Sequence, residues 1–281
     1  MKTRGCGRGA AALLFWKKGE KMARLCPLFS GSTGNSYYIG SRSAGLLIDA
    51  GRSARQLDGM LKRCEVDPLA IQGILITHEH SDHIAGVRVF AKKYGLPVFA
   101  SQGTLVAMQS SLEGVEAWVV DGPLELAGMK IRPFSTPHDS AQSLGYRITT
   151  GDGREFALAT DLGELTDTVR EHLLGAEFVV IESNHDREML RTGGYPAYLK
   201  RRILSGRGHL SNDACAAFLP ELARSGTKRF LLAHLSRENN TPGLAHDAAL
   251  AALTGAGYIA DSGFWLEVAQ PENLQGNTII F

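Results

Sequence analysis

The chain has 281 residues, 44% hydrophobic and 21% charged, enough apolar material for one large core or two small ones and too much for a disordered segment. A formal net charge of +1 excludes the uniformly basic surface of a histone-like or arm-type nucleic-acid binder and leaves room only for a local basic patch. Cys6, Cys26, Cys64 and Cys215 are widely spaced and form no CxxC pair, which excludes a disulfide framework and a thiolate zinc site and fits a reducing, cytoplasmic compartment.

Near the start, Lys2, Arg4 and Arg8 precede a short apolar stretch, residues 10–16, in the manner of a signal peptide. Lys17, Lys18, Glu20 and Lys21 then occupy the place of a small-residue cleavage site, and no apolar run reaches the roughly 18 residues that a membrane span requires. Neither export nor membrane insertion is expected. Met22 opens a segment that reads at once as folded protein. Residues 1–21 are therefore expected to be an unstructured extension from an alternative start, and residues 22–281 a single domain.

Residues 25–29 and 36–39 read as short strands around the hexad Ser30-Gly31-Ser32-Thr33-Gly34-Asn35, which suits a hairpin turn; a backbone cradle for phosphate is its functional alternative. Residues 45–51 form an apolar strand that runs into Asp49, and a carboxylate at the end of a buried strand is costly unless a polar group or a metal satisfies it. Residues 53–62 are helix-like, and residues 73–76 return to strand just before Thr77-His78-Glu79-His80-Ser81-Asp82-His83. Ile84, Val87, Phe90, Ala91 and Tyr94 then recur on one helical face, with Gly95 as the stop, so the histidine-rich segment lies in a strand-to-helix loop.

Beyond it the pattern predicts a strand at 97–100, a helix at 104–112 and a strand at 117–120. Four short runs, 124–126, 129–134, 143–149 and 155–159, are rich in β-branched and aromatic residues and read as a meander. A helix to residue 174, a strand at 178–181 and helical stretches between 187 and 204 follow. A helix at 212–224, a strand at 229–233, a helix through 244–253 and a closing strand near 264–268 complete the chain. Strands outnumber what a doubly wound α/β sheet needs, so the expected architecture is two packed sheets flanked by helices.

The densest chemistry is in the loop after residue 76. His78, His80, Asp82 and His83 offer imidazole nitrogens and a carboxylate to one cavity, a donor set that suits a divalent ion such as zinc. Solvated loop residues are the bland alternative, and four such residues in one loop of a chain with nine histidines argue against it. His138, Asp161 and His234 each follow an apolar run, at strand ends where loops converge, and together they can supply the remaining ligands of a binuclear centre.

These residues resemble the HxHxDH signature and later ligand positions of the metallo-β-lactamase superfold of hydrolases. The resemblance runs from about Met22 to the last strand, and it implies an αββα sandwich of two mixed sheets flanked by helices, with the metals at one edge of the sheets. It implies that one ion takes His78, His80 and His138 and the other Asp82, His83 and His234, that Asp161 bridges them, and that Asp49 supports the loop from behind. Two close divalent cations, zinc or manganese, lower the pKa of a shared water and clamp the oxygens of a group under attack, so hydrolysis is the expected reaction. Thioester, lactam, lactone and phosphodiester substrates all remain open at that point.

Glu182 ends the apolar run 178–181, and His209 sits in Gly208-His209-Leu210-Ser211-Asn212, a glycine-led approach to a helix start that suits an anion and offers a proton donor. A capping loop with an incidental histidine is the alternative. Phosphodiesterases such as tRNase Z and the cyclic-phosphate hydrolases resemble this arrangement of a non-ligand histidine and an upstream glutamate. The bacterial YycJ/WalJ-like branch resembles it more closely, in the hexad 30–35 and in residues 182–186, 208–212 and 234–242. That resemblance implies a cytoplasmic DNA exonuclease acting from 5′ ends of duplex DNA and linked to mismatch repair, with His209, Glu182 and Asp82 catalytic. From these segments Asn184, His185, Arg207, Ser211 and Asn240 are expected to contact substrate. Lys200, Arg201, Arg202 and Arg207 form a local cationic run that could meet phosphates or be a solvated face. Tyr195 and Tyr198 could stack on bases, with packing the plainer role. A glyoxalase II-like thioesterase, a lactamase and a binding-only protein are the competing readings; the retained ligand set argues against the last.

Overall fold

A computed structural model describes residues 23–260 and 262–281. The expectation for residues 1–21 lies outside the described residues. Fourteen strands form two sheets of seven. The first sheet takes β1 (Arg24–Phe29), β2 (Ser36–Gly40), β3 (Gly45–Ile48), β4 (Ile71–Leu75), β5 (Val98–Ala100) and β6 (Ala117–Val119) in sequence. The second runs from β7 (Leu124–Leu126) through β8 (Met129–Ser135), β9 (Leu144–Thr149), β10 (Glu155–Ala159), β11 (Phe178–Glu182) and β12 (Arg229–Ala233) to β13 (Trp265–Val268). The chain then returns to the first sheet, where β14 (Ile279–Ile280) pairs antiparallel with β1, Leu25 opposite Ile279.

Strand periodicity sorts the side chains into separate apolar layers. Leu46 and Ile48 of β3, with Phe178 and Val180 of β11, face the layer between the sheets. Leu47 points the other way, onto Leu57 and Leu61 of helix α1 (Ala54–Arg63). Beyond the motif loop come α2 (Ser81–Ile84), α3 (Val87–Tyr94) and α4 (Gln102–Ala107), and Phe90 of α3 joins that outer layer. On the second sheet Val179 and Ile181 face outward onto α5 (Asp167–Leu173) and, after α6 (Arg187–Thr192) and α7 (Ala197–Ile203), onto α8 (Asn212–Arg224) and α9 (Pro242–Gly255). The layers are thus helix, sheet, sheet, helix, the αββα sandwich.

The structure departs from expectation in α2, which takes Asp82 and His83 of the expected loop into a short helix of their own, and in two further elements. The helix predicted over 104–112 is α4 followed by a separate 3-10 turn, Gln109–Leu112, the break falling at Met108. β14 was not foreseen, since two residues carry no alternation to read. No described helix is long and apolar enough to cross a membrane.

Candidate metal centre

β3 and β4 run parallel, as do β10, β11 and β12, and the residues that follow their carboxyl ends converge at one edge of the sandwich. Asp49 follows β3, His78 follows β4, Asp161 follows β10 and His234 follows β12. Asp49, Asp161 and His234 all have left-handed backbones, with φ of 61°, 56° and 56°. For non-glycine residues that conformation costs about 1 kcal/mol or more each, and such strain persists where the surroundings hold a side chain in one direction.

The potential ligands fall into two trios. His78, His80 and His138 offer donor atoms within 4.8 Å of one another, and so do Asp82, His83 and His234. Asp161 lies between them, grouped with His78 and His83 in a third such set and with Glu182, His209 and His234 in a fourth.

Four of the imidazoles are oriented from behind through Nδ1, whereas His80 turns its Nδ1 toward His138 Nε2, 3.3 Å away. His83 Nδ1 donates to Asp49 Oδ2 at 2.8 Å, His138 Nδ1 to the Gly208 carbonyl at 3.2 Å and His234 Nδ1 to Glu182 Oε1 at 2.7 Å. Thr77 Oγ1 donates to Asp49 Oδ2 and accepts from His78 Nδ1 at 3.0 Å. For His78, His83, His138 and His234, Nε2 is therefore the atom turned to the centre. His78 Nε2, His234 Nε2 and Asp161 Oδ2 are buried and have no hydrogen-bond partner. Orphaned buried donors and acceptors cost about 1–3 kcal/mol each, and three in one spot fit the divalent ions that a His/Asp set accepts.

The electrostatics agree. Burial pulls His78 well below the usual imidazole range, with His83 reinforcing it, and burial also lowers His138. Burial opposes charge on His83 too, but Asp161 and Asp49 outweigh it and raise that imidazole to about 10. Burial pushes Asp161 upward, and the surrounding histidines, His234 and His83 foremost, hold its carboxyl well below the carboxylate range. Without ions, the carboxylates of the centre are thus balanced by protons on imidazoles.

Glu182 is fully buried and satisfied by four donors. Oε2 accepts the backbone N–H groups of Leu162 at 3.0 Å and Leu210 at 2.9 Å. Oε1 accepts Nδ1 of His234 and, at 2.9 Å, Nδ1 of His209. Burial raises its pKa, but His209 and His234 outweigh this and hold it down at about 2. His209 keeps 16% of its side chain exposed, so solvent and substrate can reach it.

The remaining sequence candidates serve the scaffold behind the centre. Asn240 Nδ2 donates to the carbonyls of Ser183 and Asn184, and its Oδ1 accepts from Asn212 Nδ2 and the Thr241 amide. Asn184 Nδ2 donates to the His234 carbonyl at 2.8 Å, and Ser211 Oγ accepts the Ala214 amide to cap α8. Arg207 clasps the His138 carbonyl through Nε at 3.0 Å and Nη2 at 2.8 Å. Each of these four thus braces a segment near the centre. His185 is buried with both ring nitrogens unpartnered, and burial lowers it to about 4, so it is neutral. In the cationic run, Arg202 pairs with Asp139 and Lys200 Nζ donates to the carbonyls of Arg191 and Gly193, whereas Arg201 and Tyr198 are exposed.

Asn35 is a site residue that sequence reasoning missed. Its Oδ1 accepts the Gly31 amide at 2.9 Å, which fixes the amide orientation and aims Nδ2 at His83 Nε2, 3.0 Å away, and at Asp82 Oδ2, 3.4 Å away. Only its place at the end of the hexad hinted at this.

A family model described as a β-lactamase superfamily domain matches residues 45–235. The chain is 37% identical over 250 residues to the exodeoxyribonuclease YycJ of Bacillus anthracis, covering 87% of this chain and 94% of that protein. It is 39% identical over 226 residues to the exodeoxyribonuclease WalJ of Streptococcus pneumoniae serotype 2, covering 78% and 84%. Among solved structures, the metallo-β-lactamase fold protein YhfI of Bacillus subtilis superposes with a TM-score of 0.70 over 92% of this chain and all of its own, at 16% identity, a likeness of fold alone. The chain is a hydrolase of the metallo-β-lactamase superfamily and belongs to its YycJ/WalJ branch.

Proposed function

We propose that the protein is a two-metal exodeoxyribonuclease that degrades duplex DNA from 5′ ends and serves mismatch repair in the cytoplasm. The observation that carries the reading is the Glu182 carboxylate shared by His234 and His209, which sets a non-ligand imidazole beside the two trios. The relatives at 37% and 39% identity bear the name exodeoxyribonuclease, and the reading extends that activity to this chain.

His78, His80 and His138 would hold one divalent ion, zinc or manganese, and Asp82, His83 and His234 the other, with Asp161 common to both. Bound there, such ions supply a water of lowered pKa and polarise the phosphoryl oxygens. The chain's own residues do the rest. Asp49 and Glu182 keep His83 and His234 in the tautomer that presents Nε2. Glu182 fixes His209 Nδ1 as a donor to itself and so leaves Nε2 as the atom that would pass a proton to the departing 3′ oxygen. The exposed Arg201 is the cation of the run left to hold the sugar-phosphate backbone in register without reading sequence.

The test is a panel of 5′- and 3′-labelled single- and double-stranded DNA and RNA, incubated with zinc- or manganese-loaded protein. Stepwise shortening from the 5′ end of duplex DNA is the expected result. Internal cuts, a ladder from the 3′ end, or activity confined to RNA would overturn the assignment.

A further inference from the structure

A cavity of about 490 Å³ adjoins the second trio, and the residues assigned above leave it without a role. Part of its lining is the hexad loop, whose Ser30 Oγ accepts the His234 amide at 2.9 Å. Another part is the segment that directly follows His234, through Leu235, Ser236 and Arg237. The two segments that line the cavity thus meet at the backbone of His234, which places the cavity beside that member of the second trio.

The lining has two chemical faces. Leu235, Pro242 and Pro271 are apolar and rigid. Against them stand two arginines. Arg52 is largely committed: its Nη2 donates to Thr33 Oγ1 at 3.0 Å and to Glu272 Oε1 at 3.1 Å, so its charge is matched, although its Nε is buried without a partner. Arg237 is exposed and has neither a hydrogen-bond nor an ion-pair partner among the described residues. Ser32, exposed in the hexad, adds a free hydroxyl. An uncommitted guanidinium, a hydroxyl and an apolar wall in a cavity of ordinary ligand size make up the donor set for a nucleoside monophosphate unit.

We propose that this cavity receives the terminal nucleotide of the strand being cut, with Arg237 and Ser32 on its terminal phosphomonoester and Leu235, Pro242 and Pro271 against sugar and base. The inference rests on the phosphodiesterase reading and adds to it the part of the substrate that the protein grips. A pocket that takes a chain end confines hydrolysis to that end, which is what separates an exonuclease from an endonuclease on one and the same metal centre.

The experiment has two arms, both with metal-loaded full-length protein. In the first, thymidine, thymidine 5′-monophosphate and thymidine 3′-monophosphate are titrated calorimetrically into the wild type, Arg237→Ala and, as a distant control, Arg42→Ala. One monophosphate binds at least tenfold more tightly than thymidine, and whichever it is names the end that is held. Arg237→Ala weakens it about tenfold, the size of one charge-assisted contact, while Arg42→Ala matches the wild type. In the second arm, duplexes bearing 5′-phosphate, 3′-phosphate or hydroxyl ends are digested, and the preference for one phosphorylated end collapses in Arg237→Ala. Monophosphate binding indifferent to Arg237, in a protein that still cuts duplex DNA, overturns the cavity assignment and leaves the nuclease reading standing. Arg237-dependent binding in a protein that cuts no phosphodiester supports the cavity and overturns that reading instead.

Discussion

His209 and His234 share one oxygen, Glu182 Oε1, at 2.9 and 2.7 Å, while the other oxygen takes two backbone amides. Four donors therefore converge on a carboxylate with no exposure. Glu182→Gln replaces one acceptor oxygen by an NH2 group, which must face either the two imidazoles or the two amides. The variant is expected to lose about 1–3 kcal/mol of stability, read from the urea midpoint, together with metal affinity through His234. His209→Ala separates the two functions. Its bound metal should stay at the wild-type level while turnover falls roughly 10²- to 10⁴-fold, the range of a general acid. Loss of an ion from His209→Ala would show that His209 is a ligand.

Asp49 holds His83 and Thr77, two residues of the candidate metal centre. Its carboxylate accepts from His83 Nδ1, Thr77 Oγ1 and the Thr77 amide, all at 2.8 Å. Asp49→Asn keeps the shape and removes the charge that fixes the His83 tautomer. Divalent-ion affinity should drop about 10- to 100-fold with little change in fold, measured by chelator competition and by circular dichroism. Unaltered affinity would remove Asp49 from the site.

The order of the strands and the ligand-bearing loop were legible because both are written in short-range pattern. His78, His80, Asp82 and His83 lie within six residues, and Asp161 and His234 each end an apolar run that could only be a buried strand. Asn35 was not legible, because its partner His83 is 48 positions away and only the packed sheets bring the two to 3.0 Å. The same holds for the second bond of Glu182: a glutamate at a strand end announces a polar neighbour, but not that His234 and His209 share it. Asn184, Ser211 and Asn240 are expected substrate contacts because polar residues cluster near the site, and each also bonds the backbone of the segments around His234 and His209. Polar clusters that brace a site and those that touch its substrate have the same composition.

Proton release should accompany metal uptake. In the metal-free protein Asp161 and Asp49 overcome burial and raise His83 from 6.5 to about 10, and His234 is raised well above 6.5 as well. A raised histidine stabilises the metal-free fold below its unfolded value, and that contribution fades as pH climbs from 6.5 toward 10. Ions compete with those same protons, so metal affinity rises with pH over this window. Calorimetric loading near neutral pH, in buffers of different ionisation enthalpy, should report net proton release. Net uptake, or none, would mean that His83 and His234 are neutral before the metal arrives.

Gly51 shows how closely the backbone is drawn around the motif. Its amide donates to the Asn35 carbonyl at 2.9 Å, and the Asn35 amide donates to the Asp82 carbonyl at 2.7 Å. A Cβ on Gly51 would stand 1.7 Å from that Asp82 oxygen and 2.6 Å from the Asn35 nitrogen, both backbone atoms that cannot step aside. Gly51→Ala must push the Asp82–His83 segment away from the centre. It is expected to cost about 3 kcal/mol and to release metal from the second trio first. Gly59, in α1, is the matched control: a Cβ there meets nothing within 4 Å, and alanine suits a helix better, so Gly59→Ala should gain about 0.5–1 kcal/mol with metal content intact. Urea midpoints and metal stoichiometry on the two variants decide the matter. Equal stability of the pair would show that the loop around Gly51 yields, and with it that the ligand geometry is not set by this backbone contact.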